Sequence, residues 1–248
     1  MNKRPLITLI LAAGKGTRMK SNLPKVLHPV DDIPMLHHVI KMAQAVGSEQ
    51  IIPIIGYEKE KVKSSIASFQ LACAIQDEQL GTGHAVMQTE SIVGNVDGDI
   101  LVLSGDVPLL RETSLLSLLE VYRNEKASAA LLTAEMDDAT GYGRIVRNKE
   151  GQFSEIVEHK DCTPLQLGIN EINAGIYLFH SQLLFKTLKL IKNNNRQNEY
   201  YLPDVLPHFI QFGKTVALQL MADSTEISGV NTVEQLAEIN QIYKERKK

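Results

Sequence analysis

An apolar run that ends in a glycine-rich turn is the feature that most constrains the fold of this chain. The run, Leu6 to Leu11, has the length and composition of a strand buried on both faces in a parallel sheet. The chain then passes through Gly14-Lys15-Gly16, where the glycines let backbone N–H groups approach a ligand closely. A strand end followed by such a turn is typical of α/β folds that bind phosphate groups at this point.

Three cations, Lys15, Arg18 and Lys25, surround the turn and predict a site for a polyphosphate. A P-loop is excluded, because its lysine follows the second glycine, whereas Lys15 stands between the two. A dinucleotide fingerprint needs a third glycine where Met19 stands, which argues against a dehydrogenase. A strand-to-helix turn with chance cations is the remaining alternative, and it leaves Arg18 and Lys25 unexplained.

Apolar runs alternate with helical patterns through the first half of the chain. Helices are predicted over 34–46, 59–69 and 83–92, and strands over 50–55, 72–76 and 99–104. Pro53 indicates that its strand lies at an edge or contains a bulge. This alternation predicts an α/β fold with a Rossmann-like mixed, mainly parallel sheet and helices on both faces.

The second half has closely spaced strand patterns, which predict a small antiparallel addition to the sheet. Strands are predicted over 127–136, 142–147, 153–157, 171–179 and 215–221, and helices over 181–192, 203–212 and from about 232. No internal repeat or low-complexity linker divides the chain. A length of 248 residues therefore predicts one domain over 1–248.

Composition limits the classes of partner. A net charge of −3 argues against a nucleic-acid surface, so phosphate binding has to come from a local cluster of cations. The segment from Met1 leads into an apolar run too short for a signal peptide or a membrane span. Cys73 and Cys162 form neither a disulfide framework nor a metal-ligand spacing. We therefore expect a cytoplasmic protein with no membrane partner.

A carboxylate follows the buried strand at 99–104, in Ser104-Gly105-Asp106. Ligands of open α/β sheets bind at the carboxyl ends of parallel strands, so Asp106 is placed to hold Mg²⁺ together with substrate phosphates. The alternative is an aspartate that opens a turn before Pro108, and the neighbouring glycine turn makes that alternative the weaker one.

A second loop runs from Gln76 to Ala85, with the sequence Gln-Asp-Glu-Gln-Leu-Gly-Thr-Gly-His-Ala. Its glycines let backbone groups reach a planar base. The Gln76 carboxamide donates and accepts hydrogen bonds at once, as recognition of a uracil edge requires. The loop predicts a nucleobase site, although glutamine-rich turns before helices are also common.

Both loops resemble segments of a known family. Leu11-Ala12-Ala13-Gly14-Lys15-Gly16-Thr17-Arg18-Met19 with Pro24-Lys25 resembles the signature of the sugar-nucleotide pyrophosphorylases, which are nucleotidyltransferases. The loop at 76–85 resembles one branch, the N-acetylglucosamine-1-phosphate uridylyltransferases, which form the N-terminal half of bifunctional bacterial enzymes. The resemblance implies a nucleotide-diphospho-sugar transferase fold. It also implies Mg²⁺-dependent conversion of UTP and N-acetylglucosamine-1-phosphate into pyrophosphate and UDP-N-acetylglucosamine, a peptidoglycan and lipopolysaccharide precursor.

The resemblance also assigns roles to individual residues. It implies catalytic roles for Arg18 and Lys25 and metal ligation by Asp106 and Asn231. The nucleotide contacts that it implies are Leu11, Ala12, Ala13, Gly14, Lys25, Gln76, Gly81 and Thr82. The sugar contacts that it implies are Ser104, Gly105, Gly143, Glu158 and Asn173. A helix cap is the alternative role for Asn231, because Thr232 and Gln235 match a capping box.

Other functions remain open at this stage. One is a related pyrophosphorylase that uses glucose-1-phosphate or another sugar-1-phosphate, and Ala174, which replaces a common threonine, leaves sugar selectivity undecided. Another is a non-catalytic nucleotide-binding regulatory module. The chain contains no hexapeptide repeat, so we expect the trimerising left-handed β-helix acetyltransferase domain to be absent and the protein to be a monomer or weak homo-oligomer. A natural single-domain enzyme and a truncated one fit this equally well.

Overall fold

A nine-stranded sheet forms the centre of the molecule in the computed structural model, which describes residues 4–247. The strands are β1 (Leu6–Ala12), β2 (Pro29–Val30), β3 (Ile33–Pro34), β4 (Gln50–Ile55), β5 (Ala74–Ile75), β6 (Asp99–Ser104), β7 (Ala129–Glu135), β8 (Arg144–Arg147), β9 (Phe153–Val157), β10 (Glu171–His180) and β11 (Val216–Leu220). Of these, β2 and β3 form a separate two-stranded hairpin. The segment at 1–3, expected above to carry no leader, lies outside the described residues.

Nine α-helices accompany the strands among the described residues. They are α1 (Met35–Ala45), α2 (Lys59–Ser65), α3 (Thr82–Met87), α4 (Glu90–Val93), α5 (Glu112–Asn124), α6 (Pro164–Leu167), α7 (Ser181–Leu188), α8 (Val205–Gln211) and α9 (Val233–Arg246). Within residues 4–247, no helix combines the length and apolar character needed to span a bilayer.

The strand order is β11-β7-β10-β6-β1-β4-β5, with β8 paired to β10 and β9 paired to β8. Strands β6, β1, β4 and β5 are parallel, and β11 is parallel to β7. The antiparallel pairs are β10 with β6, β7 and β8, and β8 with β9. The predicted mixed, mainly parallel sheet with a small antiparallel addition is therefore confirmed.

Successive side chains of a strand point to opposite faces of the sheet, and the strands of this sheet are apolar on both faces. Helices therefore cover both faces. In β1, Leu6 and Ile10 belong to a core cluster that includes residues of α1 and α5. Ile7 and Leu9 belong to a second cluster that includes residues of α3, α7 and α8. The glycine-rich turn is thus anchored to a strand that is buried between two helical layers.

Several predicted boundaries differ from the structure. Helix α5 was not predicted, although its apolar residues Leu115, Leu118, Leu119 and Tyr122 recur at helical spacing and are buried. The helix predicted over 83–92 is split into α3 and α4, and the buried Thr89 hydroxyl at the break donates to the Val86 carbonyl. This local side-chain hydrogen bond competes with the helical pattern.

The predicted edge position of the strand that contains Pro53 is wrong. Strand β4 lies between β1 and β5, and its register with β1 is unbroken. Strand β5, however, pairs only with Ile54 and Ile55. The missing N–H of Pro53 therefore removes no hydrogen bond on that side of the strand.

We expect truncation of a buried α5 side chain to destabilise the fold. Leu118 is fully buried, whereas Leu116 on the same helix is 45% exposed. Leu118→Ala should lower the free energy of unfolding by about 2–5 kcal/mol, because it leaves a cavity between α5 and the sheet. Leu116→Ala is the control and should change it by less than about 1 kcal/mol. Denaturant unfolding of both variants measures the difference, and equal effects would contradict this packing.

Candidate functional site

The site lies where β1 and β6 end side by side. In their parallel register Leu11 lies opposite Ser104, so the turns that follow the two strands meet at one edge of the sheet. The Gly105 N–H donates to the Leu11 carbonyl at 2.9 Å. A Cβ atom on Gly105 would lie 3.1 Å from that carbonyl oxygen, so a side chain there would push the two turns apart.

A cleft of about 280 Å³ opens at this edge. Every residue that the sequence predicts to contact a nucleotide lines it, together with Ser104 and Asp106: Leu11, Ala12, Ala13, Gly14, Lys25, Gln76, Gly81 and Thr82. Gln79 and Glu199 also line the cleft and were not predicted. Gln79 lies within the loop at 76–85 that predicts a nucleobase site, called the base loop below, whereas Glu199 comes from a segment more than 100 positions further along the chain.

The glycine-rich turn folds back on Lys25. Gly16 has a φ of +63°, in the left-handed region, and a Cβ atom there would lie 2.5 Å from the Lys25 Cβ. Glycine is therefore required for this close approach. The turn continues into a short 3₁₀ segment, Thr17–Met19, that buries Met19. Met19, which stands where a dinucleotide fingerprint would have its third glycine, thus anchors the turn in the core.

Lys25 donates a hydrogen bond from Nζ to Asp106 Oδ2 at 2.5 Å and another to Asn231 Oδ1 at 3.1 Å. Arg18 donates to the same Asn231 oxygen at 2.9 Å. The Lys25 and Asp106 side chains are each 17% exposed, so the ion pair is largely shielded from water. The four residues to which the sequence assigns catalysis and metal binding therefore form one contact network.

The Asn231 side chain is not the cap of α9. Thr232 is the cap, because its hydroxyl accepts from the Gln235 N–H and forms a capping box with Gln235. The Asn231 side-chain oxygen instead accepts hydrogen bonds from Arg18 and Lys25. The neighbouring Val230 N–H donates to the Asp106 carbonyl at 3.1 Å, which ties this segment to the end of β6.

The oxygens of Asp106 and Asn231 are suited to a hard cation. Both contact one ammonium group, so their separation already accommodates a positive charge between them. Carboxylate and amide oxygens are typical ligands of Mg²⁺, which completes its shell with water and phosphate oxygens. Within residues 4–247, no cluster of three or more His, Cys, Asp or Glu side chains offers an all-protein metal site.

The base loop is held in shape by internal hydrogen bonds. The buried Gln76 donates from Nε2 to the Gly81 carbonyl at 3.0 Å, and its amide also contacts the His84 ring. Gly81 has a φ of +107°, and a Cβ atom there would lie 2.6 Å from the Tyr200 carbonyl. The Thr82 hydroxyl accepts from the Leu202 N–H at 2.9 Å. Tyr200 and Leu202, more than 100 positions further along the chain, thus brace the loop.

Three of the five residues predicted for the sugar come together: Gly143 directly precedes β8, Glu158 directly follows β9, and Asn173 lies in β10. The Asn173 N–H donates to the Gly143 carbonyl at 2.9 Å, and a Cβ atom on Gly143 would lie 3.1 Å from Glu158 Oε1. Ser104 and Gly105 lie instead at the end of β6, beside the nucleotide cleft. Burial and the charge of Asp106 raise the pKa of the Tyr142 hydroxyl, next to Gly143 in the chain.

Glu158 lies among other carboxylates. Burial, followed by the charges of Asp204, Asp161 and Glu199, raises its pKa to about 7. Burial and the charges of Asp161 and Glu155 raise the pKa of Asp204 to about 6. Near neutral pH the Glu158 carboxyl group therefore exchanges between a charged acceptor and a neutral group that also donates.

The sequence matches the family model described as Nucleotidyl transferase over residues 7–245, and the chain belongs to this family. It is 47% identical over 238 residues to the bifunctional protein GlmU of Halalkalibacterium halodurans. The matched region covers 96% of this chain and 52% of that protein. The corresponding protein of Streptococcus pyogenes serotype M12 is 45% identical, with coverage of 96% and 57%. The chain thus spans about half the length of the curated relatives it matches.

Solved structures show the same fold. A UDP-glucose pyrophosphorylase complexed with UDP-glucose superposes with a TM-score of 0.76 at 20% identity, covering 98% of this chain and 99% of that one. A putative glucose-1-phosphate thymidylyltransferase from Bacillus anthracis gives 0.74 at 24% identity, covering 96% and 94%. The predicted family and fold type are therefore confirmed.

We expect the brace on the base loop to make Gly81 intolerant of a side chain. Both Gly81 and Gly47 have a positive φ, so an alanine at either position strains the backbone. At Gly81 the alanine Cβ would also clash with the Tyr200 backbone, whereas nothing lies within 4 Å of a Cβ atom at Gly47. Gly47→Ala should lower the free energy of unfolding by about 1–2 kcal/mol, and Gly81→Ala should lower it by more. Urea unfolding compares the two, and an equal loss would contradict the bracing of the loop.

Removing the charge of Glu158 should stabilise the protein in a pH-dependent way. The pKa rises from 4.5 in the unfolded chain to about 7 in the folded one, so the wild type loses stability as pH rises through this window. Glu158→Gln should therefore nearly match the wild type at pH 4 and exceed it by about 3 kcal/mol at pH 8. Glu120→Gln, on the exposed face of α5, is the control. A constant difference between pH 4 and pH 8 would contradict the pKa shift.

Proposed function

We propose that this protein transfers a uridylyl group from UTP to N-acetylglucosamine-1-phosphate and releases pyrophosphate. The observation that carries the proposal is the contact network of Arg18, Lys25, Asp106 and Asn231 beside the glycine-rich turn. The 45–47% identity to bifunctional GlmU proteins supports the branch that the base loop resembles. A regulatory module without turnover would have no need to converge two cations and a carboxylate on one point.

The chemistry explains why this network contains no general base. The attacking group is a phosphate oxygen of the sugar phosphate, which is already an anion at neutral pH. The barrier comes from bringing two polyanions together in line and from the charge that develops at the α-phosphate. Lys25 and Arg18 would stabilise that charge, and the backbone N–H groups of the glycine-rich turn would orient the triphosphate.

Asp106 and Asn231 would hold Mg²⁺ in this reaction. When bound, the ion neutralises phosphate charge and helps to align the reacting groups. The Asn231 oxygen, which accepts from both Lys25 and Arg18, keeps the metal ligands and the two cations together. The charge of the Asp106 carboxylate also prevents Lys25 from turning towards bulk water.

The base loop offers a hydrogen-bonding pattern that suits uracil. Gln76 Nε2 is engaged by the Gly81 carbonyl, which leaves the Gln76 side-chain oxygen as an acceptor for the uracil N3–H. Within the described residues the Gly81 N–H donates to no protein acceptor and would donate to a uracil carbonyl. Cytosine presents an acceptor at N3 and would leave the Gln76 oxygen opposite a lone pair.

The sugar phosphate would bind between the cleft and the group formed by Gly143, Glu158 and Asn173. A carboxylate at Glu158 accepts hydrogen bonds from sugar hydroxyls, and the absence of a side chain at Gly143 leaves that carboxylate accessible. A pyrophosphorylase that uses glucose-1-phosphate is the second candidate, because the fold is shared with a UDP-glucose pyrophosphorylase. Ala174 next to Asn173 bears on this choice, since it removes a hydroxyl near the sugar.

Pyrophosphate release tests the assignment of Asp106. Asp106→Asn should reduce kcat by about 10²–10³ with Mg²⁺ present, because the carboxylate that holds the metal and faces Lys25 is lost. Asp97→Asn removes an exposed carboxylate near His180 and is the matched control with unchanged turnover. Circular dichroism and thermal unfolding check that both variants fold. Normal turnover by Asp106→Asn would remove this residue from the reaction.

A substrate panel tests the nucleotide and the sugar separately. We expect kcat/KM to fall at least about 10²-fold when CTP replaces UTP, because the Gln76 acceptor is then left unpaired. We expect N-acetylglucosamine-1-phosphate to be preferred over glucose-1-phosphate with UTP held constant. A preference for glucose-1-phosphate would establish the second candidate, and no pyrophosphate release with any pair would overturn the proposal.

A further inference from the structure

Strand β10 is interrupted where it passes the sugar residues. Asn173 lies opposite Thr133 of β7, but Tyr177 lies opposite Leu131, so β10 contains two more residues than β7 between these pairs. Gly175, within the interruption, has a φ of +72°. Such a bulge redirects the strand and re-aims the side chains beside it.

The Asn173 side chain closes this bulge and is held at both ends. Its Oδ1 accepts from the Gly175 N–H at 3.0 Å, and its Nδ2 donates to the Tyr177 hydroxyl at 2.6 Å. A backbone N–H only donates, so the oxygen of the carboxamide must face Gly175 and the nitrogen must face Tyr177. One N–H of Asn173 remains for a ligand.

Tyr177 is 4% exposed, and its ring stacks on Phe179 with the centroids 5.6 Å apart. Phenylalanine would fill the same apolar space. A buried hydroxyl costs free energy unless it is hydrogen-bonded. Within the described residues the Tyr177 hydroxyl is hydrogen-bonded only to the Asn173 carboxamide. Its burial and the nearby charge of Glu158 raise the pKa of the hydroxyl, so it stays protonated. The hydroxyl group therefore acts on Asn173 and not on packing.

We propose that Tyr177 is a positioning residue of the subsite that binds the acceptor sugar phosphate. The inference rests on the proposed function, which places the sugar against Asn173. Tyr177 holds the Asn173 amide in one orientation, so that its remaining N–H donates to a sugar oxygen while Glu158 accepts from a sugar hydroxyl. Without the tyrosine hydroxyl the amide loses one of its two anchors and presents its donor in a mixture of orientations.

Steady-state kinetics of Tyr177→Phe test this role. We expect KM for the sugar phosphate to rise about fivefold to tenfold, the size of one lost hydrogen bond. The KM for UTP and the kcat at saturating substrates should stay within twofold, because the cleft and the cation network are untouched. This split separates positioning from a general loss of structure, which would lower the amount of active enzyme and leave KM unchanged.

Tyr122→Phe is the matched control. The Tyr122 hydroxyl is also buried and donates to Asp99 Oδ1 at 2.9 Å, at the opposite end of β6 from Ser104. Both substitutions should lower the free energy of unfolding, since each removes a buried hydrogen bond. Only Tyr177→Phe should change the KM for the sugar phosphate. An unchanged KM in a folded Tyr177→Phe enzyme would overturn the inference.

A double-mutant cycle with Asn173→Ala tests whether Tyr177 acts through that amide. Adding Tyr177→Phe to Asn173→Ala should leave the KM for the sugar phosphate within twofold of the single Asn173→Ala value. Additive effects would show an independent action and overturn the inference. If the wild type neither binds nor turns over any sugar phosphate, the proposed function fails together with the inference, whereas normal wild-type turnover with an unaffected Tyr177→Phe enzyme removes the inference alone.

Discussion

Leu11 of β1 lies opposite Ser104 of β6, and the site depends on this register. The side chains of a strand alternate between faces, so a slip of one residue would turn the apolar residues of β1 away from their own helical layers. Burial on both faces therefore fixes the register more firmly than the backbone hydrogen bonds alone would. The same register brings the glycine-rich turn to Asp106, whose carboxylate accepts a hydrogen bond from Lys25, and Lys25 in turn donates to the Asn231 side-chain oxygen.

The parts of the fold that the sequence predicts best are those with local signals. Long apolar runs predict β1, β4 and β6 with ends within one residue of the structure, because a strand buried on both faces is apolar at nearly every position. Strand β5, in contrast, has two residues where five were predicted, since its length is set by how far it pairs with β4. Helix α5, in contrast, carries a local signal, because its buried apolar residues recur at helical spacing.

The nucleotide residues and the sugar residues of the site also differ in how well the sequence predicts their placement. The nucleotide residues follow strands directly, so the sequence places them at one edge of a sheet, and the cleft contains all of them. The sugar residues were predicted by resemblance alone, and the sequence does not show that a bulge in β10 sets the direction of Asn173. Glu199 reaches the cleft only because Tyr200 pairs with the base loop, through contacts that join residues more than 100 positions apart.

The bracing of the base loop also sets the order in which the site is assembled. The Thr82 hydroxyl and the Leu202 N–H are separated by 120 positions, and Lys25 and Asn231 by 206. Contacts of such high sequence separation require long loops to close and tend to form late in folding. During synthesis, the glycine-rich turn and the base loop leave the ribosome well before the residues that hold them in shape. A nascent chain can therefore build its central parallel strands early, but the complete site exists only once Asn231 has joined it.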